Sequence, residues 1–418
     1  MSSFVRRLAG GLPASYWRLW TASALSNLSD GIFWIALPLL AVSLTDSPAL
    51  IAGVAIASRL PWLLFALVAG ALADRLDRRR TMILVDIFRA GLLGALAIAT
   101  FADLASLAVL YIVAFVLGVA ETLFDTSAQS IMPSIVERDR LSQANGRLYA
   151  VELTMNQFVG PPLGGLLAAV AIAGAFGAGA AGYLVAAAMV ATIAGSFRPV
   201  REGPPTRLHQ DIAEGLRYLA GHRLLRTMAF MVGFTNLWTM AVGSIFVLYA
   251  VAPGPMGLSE VGFGVLMTAM AVGSLAASVT VERLERWLGR ANLLAFGVAV
   301  TAVATAVPGL TAEPILVGAA FAVAGFAMVA WNVVTVSLRQ RIVPDRLLGR
   351  LNASYRLLAW GTMPIGAAIG GLLGEVIGVQ PVFLVAGCAL GLLVFGRLII
   401  TDASIEAAEA EGAGGAVG

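Results

Sequence analysis

The chain has 418 residues, of which 59% are hydrophobic and only 12% charged, and its formal net charge is +3. Soluble globular domains carry about 25% charged residues. This composition therefore excludes an ordinary water-exposed enzyme or binding domain and makes lipid the natural solvent.

In a bilayer every backbone polar group must be satisfied internally, which leaves helices or a closed barrel. The apolar runs are about 20 residues long and lack period-two alternation, so they select helices. Read between polar breaks, the spans fall at 18–44, 49–73, 81–101, 105–130, 145–171, 176–197, 226–251, 258–281, 291–309, 313–338, 352–374 and 379–400. The fold class expected is an all-α membrane protein with twelve transmembrane helices. The polar connector 198–225 divides them into an N-terminal six-helix bundle, 1–197, and a C-terminal one, 226–400. The tail 401–418 is Gly/Ala-rich and acidic (Glu406, Glu409, Glu411) and reads as disordered.

Arginine placement sets the expected orientation. One set of loops carries Arg75, Arg78, Arg79 and Arg80, then Arg138 and Arg140, the connector arginines, Arg283, Arg286 and Arg290, and finally Arg339, Arg341, Arg346 and Arg350. The opposite loops, near Asp46, Asp103, Gly174, Pro253, Glu313 and Gly378, contain none. By the positive-inside rule the arginine side and both termini are cytoplasmic, in a cell (plasma or inner) membrane.

The rest of the chemistry is sparse. The one cysteine, Cys388, allows no internal disulfide and no cysteine cluster. Both histidines, His209 and His222, lie in the connector, and no HExxH, P-loop or Ser/His/Asp pattern occurs. The expectation is a protein without metal, cofactor or nucleic-acid partner, and not an enzyme.

The two halves repeat. Asp74-Arg75-Leu76-Asp77-Arg78 after the second span matches Glu282-Arg283-Leu284-Glu285-Arg286 after the eighth, at an offset of 208 (282 − 74). Gly164-Gly165-Leu166-Leu167 matches Gly370-Gly371-Leu372-Leu373, at 206 (370 − 164). Ile135-Val136 with Asn145 matches Ile342-Val343 with Asn352, at 207 (352 − 145). Three anchors at nearly one offset imply two parallel six-helix units around a pathway near the bilayer midplane.

Two motifs carry a resemblance. Gly70-Ala71-Leu72-Ala73-Asp74-Arg75-Leu76-Asp77-Arg78-Arg79-Arg80, between spans two and three, resembles the loop signature G-x-L-A-D-R-x-G-R-R of the major facilitator superfamily, with Asp77 where many members have glycine. Gly160-Pro161-Pro162-Leu163-Gly164-Gly165 in the fifth span resembles the GPxxGG core of that superfamily's antiporter motif, although Arg147 and Asn156 replace its upstream glycines. The resemblance covers nearly the whole chain and points to the branch of drug and siderophore exporters that includes macrolide-efflux and enterobactin-export proteins. It implies a conformational latch at Gly70, Asp74, Arg75 and Arg78. It also implies a bent, tightly packed fifth helix at Gly160, Pro161, Gly164 and Gly165. For Asp74 the physics is that of an anion facing a helix N-terminus. For the fifth helix it is close approach at glycine and a bend at proline. The plainer alternatives are a solvated topogenic charge cluster and ordinary small-residue packing.

Ionisable groups inside spans are costly and mark function. By the helical rise, Asp30 sits roughly 18 Å from the cytoplasmic end of the first span, and Arg59 roughly 22 Å from that of the second. The pair reads as a proton-coupling acid tuned by an arginine, or equally as a permanent structural ion pair. A second set lies nearer the cytoplasm, with Arg89 roughly 12 Å and Glu121 roughly 13 Å from that end. Asp86 lies at i−3 from Arg89 and Asp125 at i+4 from Glu121. Asp86 and Asp125 read as structural members of a charge network, and Arg89 and Glu121 as further lining of the inner vestibule. Substrate-cavity candidates are Phe33, Trp34, Glu152 and Asn156 in the N-terminal half and Asn236, Trp238, Trp331, Asn332 and Arg356 in the C-terminal half. Glu152 and Asn156 suit polar or cationic ligand groups, and the aromatics and methionines Phe33, Trp34, Met240, Met267, Met270 and Met328 offer an adaptable apolar lining for amphipathic ligands.

Together these residues predict a monomeric secondary exporter of amphipathic small molecules, exchanging them for protons across the bilayer. An uptake carrier of the same fold is the alternative, and a membrane enzyme or signalling protein the more distant one.

Overall fold

A computed structural model describes residues 12–73, 76–137, 140–195, 197, 208–343 and 345–414. Every long element in it is helical. Among the described residues, eleven helices are long and apolar enough to cross a membrane. Ten correspond to Ala14–Leu44, Pro48–Ala73, Arg78–Phe101, Leu107–Ile135, Ile172–Ala191, Arg223–Ala250, Glu260–Leu288, Arg290–Leu310, Pro314–Ile342 and Asp345–Ile377. The last comprises Val379–Gly391 with its 3₁₀ extension Leu392–Leu398.

The fifth expected span is present but broken. Leu141–Leu153 is α-helical, Thr154–Val159 forms a π turn, and Gly160–Val170 resumes the α-helix. The sequence supplies the reason. Pro161 and Pro162 have no backbone N–H, so the carbonyls of Gln157 and Phe158 lose their usual i+4 donors. The chain widens by one residue, and the Gly160 N–H bonds Met155 O instead. Each piece is then too short to count alone, which reconciles eleven long helices with twelve spans.

Helix ends are set by local chemistry. Asp77, the departure from the loop signature, is the N-cap of the third span and accepts from Arg80 N at 3.0 Å. Its other oxygen accepts from Phe197 N at 3.2 Å. Glycine could make neither bond. Arg79 donates to the carbonyls of Val190 and Ala191 at the end of the sixth span, a C-terminal cap. Ser106 and His222 cap the fourth and seventh spans. Gly289 and Gly378 adopt φ of +78° and +84°, which allows direct turns into the ninth and twelfth spans.

The helices form two compact units. One comprises Met1–Leu44, Ala57–Glu202 and Ser259–Thr268, the other Thr45–Ile56, Gly203–Leu258 and Ala269–Gly418. The boundaries differ from the expected division at 197 and 226 because the start of the second span sides with the C-terminal unit and the start of the eighth with the N-terminal one. Glycines of the fifth and eleventh spans explain the exchange. In the first unit a Cβ on Gly165 would lie 2.4 Å from Glu260 O, and one on Gly264 2.3 Å from Pro161 O. In the second unit a Cβ on Gly371 would lie 2.7 Å from Ala52 Cβ and 2.9 Å from Ala49 Cα. Glu375, one turn on, accepts from Ser47 Oγ and from Ala49 N at the start of the second span. Backbones at such separations accept only glycine.

Both polar segments outside the spans are helical where described. The tail, expected to be disordered, forms the helix Asp402–Gly414. Asp402 accepts from Ala291 N at 3.1 Å, Glu409 pairs with Arg290 at 2.7 Å and Arg341 at 3.3 Å, and Ile405 and Ala408 are buried. Composition suggested disorder because it counted the acids without the arginines that neutralise them in space. Within the connector, Leu208–Gly221 is a helix that buries Leu219, while Glu214 pairs with Arg350 and Gly215 packs on the Arg350 carbonyl.

Candidate functional site

The strongest polar feature lies within the first unit. Asp30 on the first span pairs directly with Arg89 on the third. Tyr183 on the sixth span donates its hydroxyl to the same Asp30 oxygen at 2.6 Å. Arg89 is also 3.1 Å from Ser26 Oγ and 3.5 Å from Asp86 Oδ1. Its guanidinium carbon lies 4.2 Å from the Tyr183 ring centre and 5.8 Å from that of Phe124. Asp30, Asp86, Arg89 and Ser26 are 7%, 0%, 1% and 0% exposed. Four helices thus converge on one guanidinium clamped between two carboxylates and two aromatic faces.

The backbone beside this centre is closely packed. Gly31, next to Asp30, meets the fifth span at the end of its π turn. A Cβ on Gly31 would lie 2.8 Å from Asn156 O and 2.9 Å from Gly160 Cα, and one on Gly164 3.0 Å from Ile32 O. Gly182 on the sixth span packs against Ser29 Oγ. The small residues of the antiporter motif therefore bring the first and fifth spans into contact at the level of Asp30.

The expected Asp30–Arg59 pair is not formed. Arg59 stacks over the Trp34 ring, 4.2 Å from its centroid. Counting rise along single helices placed Arg59 level with Asp30 and Arg89 below it. That count ignored the long arginine arm and the offset between helix ends, and these let Arg89 reach Asp30. Arg89, expected to help line a vestibule, is enclosed. Glu121 and Asp125 are half-buried on the fourth span, and neither makes a close ion pair among the described residues. The Glu121 charge lies within electrostatic reach of both Arg59 and Arg89.

Other candidates separate. Phe33 is core, 5% exposed and packed against Trp34 and Phe176. Glu152 and Asn156 are half-buried on either side of the start of the π turn. Asn236 donates to Ala359 O at 2.7 Å. Trp238 and Trp331 are partly buried against the C-terminal core, whereas Asn332 is exposed. Asp74 and Arg75 lie outside the described residues, as do the surroundings of Gly70 and the side chain of Arg356. Arg78 begins the third helix, and its N–H bonds Phe197 O at 3.4 Å. Sequence reasoning missed Tyr183 and Ser26. A hydroxyl in an apolar span is common, and nothing along the chain pointed either of them toward Asp30.

A long-helix bundle with repeat-related glycine contacts and an internal ion cluster is the fold of a major facilitator transporter. The chain belongs to the transmembrane secretion effector family of that superfamily, whose model matches residues 13–413. It is accordingly a multi-pass membrane transporter of small molecules and not an enzyme. The multidrug efflux pump Tap of Mycolicibacterium fortuitum is 27% identical over 383 residues, covering 89% of this chain and 92% of that protein. The enterobactin exporter EntS of Escherichia coli O1:K1 is 26% identical over 339 residues, covering 80% and 78%. These relatives bear out the resemblance to the drug and siderophore exporter branch. The fold matches a point mutant of the nucleoside transporter NupG with a TM-score of 0.77 at 12% identity, covering 92% of this chain and 99% of that one. It also matches a bacterial homologue of the iron transporter ferroportin with a TM-score of 0.68 at 18% identity, covering 92% and 98%.

Proposed function

We propose that the protein is a secondary active exporter that moves amphipathic small molecules out of the cytoplasm in exchange for protons, by alternating access between two six-helix halves. The observation that carries this reading is the enclosed Asp30–Arg89–Asp86 cluster at the Gly31–Gly160 crossing. An ionisable cluster in a span is retained at high cost and suits a group that changes protonation as helices move. Arg89 takes the tuning role that sequence alone gave to Arg59. Glu152, Asn156 and Trp34 are the polar and aromatic contacts proposed for substrate in this unit. Asp74 remains the proposed latch of the loop signature. The arginine-rich loops and both termini are assigned to the cytoplasm, and the protein to a monomer. The efflux and enterobactin-export names of the relatives support export of drug-like or siderophore-like compounds.

Two measurements test this. Expression in a pump-deficient bacterial host, across a susceptibility panel, is expected to raise resistance to one or more amphipathic compounds. In oriented proteoliposomes, a pH gradient is expected to drive transport of those compounds, and an uncoupler to abolish it. Transport unaffected by the gradient would reduce the protein to a facilitator.

A further inference from the structure

The cluster around Arg89 holds two carboxyl groups and one cation, and they are not equivalent. Asp30 receives the direct ion pair from Arg89 and a 2.6 Å hydrogen bond from Tyr183, within the range of an O–H donor to an ionised oxygen. Asp86 receives neither. Its Oδ1 is 3.5 Å from both Ser26 Oγ and the Arg89 guanidinium, beyond the 2.7–2.9 Å typical of a charge-assisted bond. Its Oδ2 is buried without a partner among the described residues, and Asp86 is 0% exposed. Ser23 Oγ, one turn before Ser26 on the first span, is buried and likewise without a partner. Were both carboxyls ionised, the cluster would carry a net negative charge, with one anion uncompensated in a dry interior. A neutral carboxyl with one poorly placed hydrogen bond costs far less than a bare buried charge. Other charges do not alter this sign. Glu121 and Asp125 on the fourth span interact with Arg89 and are acidic themselves, and a further cation, Arg59, acts on Glu121.

We propose that Asp86 is the proton-carrying carboxyl of the network and that Asp30 stays ionised as the counter-ion of Arg89. This rests on the proton-exchange reading for its role in transport, though the protonation state itself does not. The step balances simply. Asp86 takes a proton from water on one side of the membrane and returns it to water on the other, with no other bond made or broken. When Asp86 loses its proton, Arg89 faces a second anion. The arm that bonds Ser26 of the first span then exchanges it for Asp86 on its own helix, and this loosens the tie between the first and third spans. Asp86 thus couples protonation to helix movement, while Asp30 anchors the cation.

Infrared difference spectra of the purified full-length protein and its variants read this directly. The carbonyl band of protonated carboxylic acids is expected to lose one component in Asp86→Asn and to keep that component in Asp30→Asn. Asp86→Asn is expected to fold, because an amide is the shape of a neutral carboxyl, and to lose pH-gradient-driven transport. An unchanged band in Asp86→Asn, or loss of the component in Asp30→Asn alone, would overturn the proposal. So would an Asp86→Asn protein that fails to fold, since that position would then require charge. If the band behaves as expected but no pH gradient drives the wild type, the exchange reading falls and the assignment of the proton to Asp86 stands.

Discussion

The first and seventh spans occupy equivalent places in the repeat but hold opposite kinds of polar group. Gly31 packs against Gly160, and Leu237 against Gly366, at the same offset of 206 (237 − 31 and 366 − 160). Gly164 packs on the Ile32 carbonyl, and its counterpart Gly370 on that of Ala241. The glycine crossings are therefore shared. The residue before each crossing is not. Asp30 pairs with Arg89, whereas its counterpart Asn236 (236 − 30 = 206) donates one hydrogen bond to Ala359 O. The fifth span also carries a π turn beside its crossing, whereas Asp345–Ile377 is one continuous α-helix despite Pro364. The lesson is that close backbone packing is an architectural property of both halves, while among the described residues the fully buried charges, Asp30, Asp86 and Arg89, lie in the first, where proton exchange is proposed.

Breaking the ionic side of this comparison gives the largest effect. Arg89→Leu leaves Asp30 buried without its cation, which typically costs about 3–5 kcal/mol. The expected result is loss of transport and a sharply lowered melting temperature in detergent, with the Asp30→Asn/Arg89→Leu double variant recovering most of the stability. Equal loss in the single and double variants would show that Arg89 acts through packing alone.

The shared crossings come next. Gly160→Val and Gly366→Val each force a side chain into a backbone contact, and overpacking of this kind costs roughly 1–3 kcal/mol. Both are expected to lower thermal stability by similar amounts, but Gly160→Val alone displaces Asp30 and is expected to cut pH-gradient-driven transport further. Matching transport in the two would remove the special status of the first half.

Asn236→Leu tests the neutral counterpart. It removes one hydrogen bond, worth about 1 kcal/mol, and is expected to shift the melting temperature slightly while leaving the response to pH gradients unchanged. The smallest effect is expected at Glu409→Gln. Partly exposed ion pairs contribute about 0–1 kcal/mol, so the change should appear as faster hydrogen exchange in Asp402–Gly414 rather than as lost transport.

Sequence alone determined the membrane class, the twelve spans and the twofold repeat. Each follows from hydrophobic length, arginine placement and spacing, which are local or periodic quantities. A bend in the fifth span was foreshadowed by Pro161 and Pro162, but its form as a π turn was not, since Pro364 leaves the eleventh span a continuous α-helix. Tertiary structure alone decided the partners. Whether Asp30 meets Arg59 or Arg89, and whether Tyr183 and Ser26 join them, depends on helix rotation and offset, and on the reach of an arginine arm. The same holds for the tail, whose acids order into a helix once Arg290 and Arg341 stand opposite Glu409. Charge pairing between distant segments is a property of distance in space, and no pattern along the chain records it.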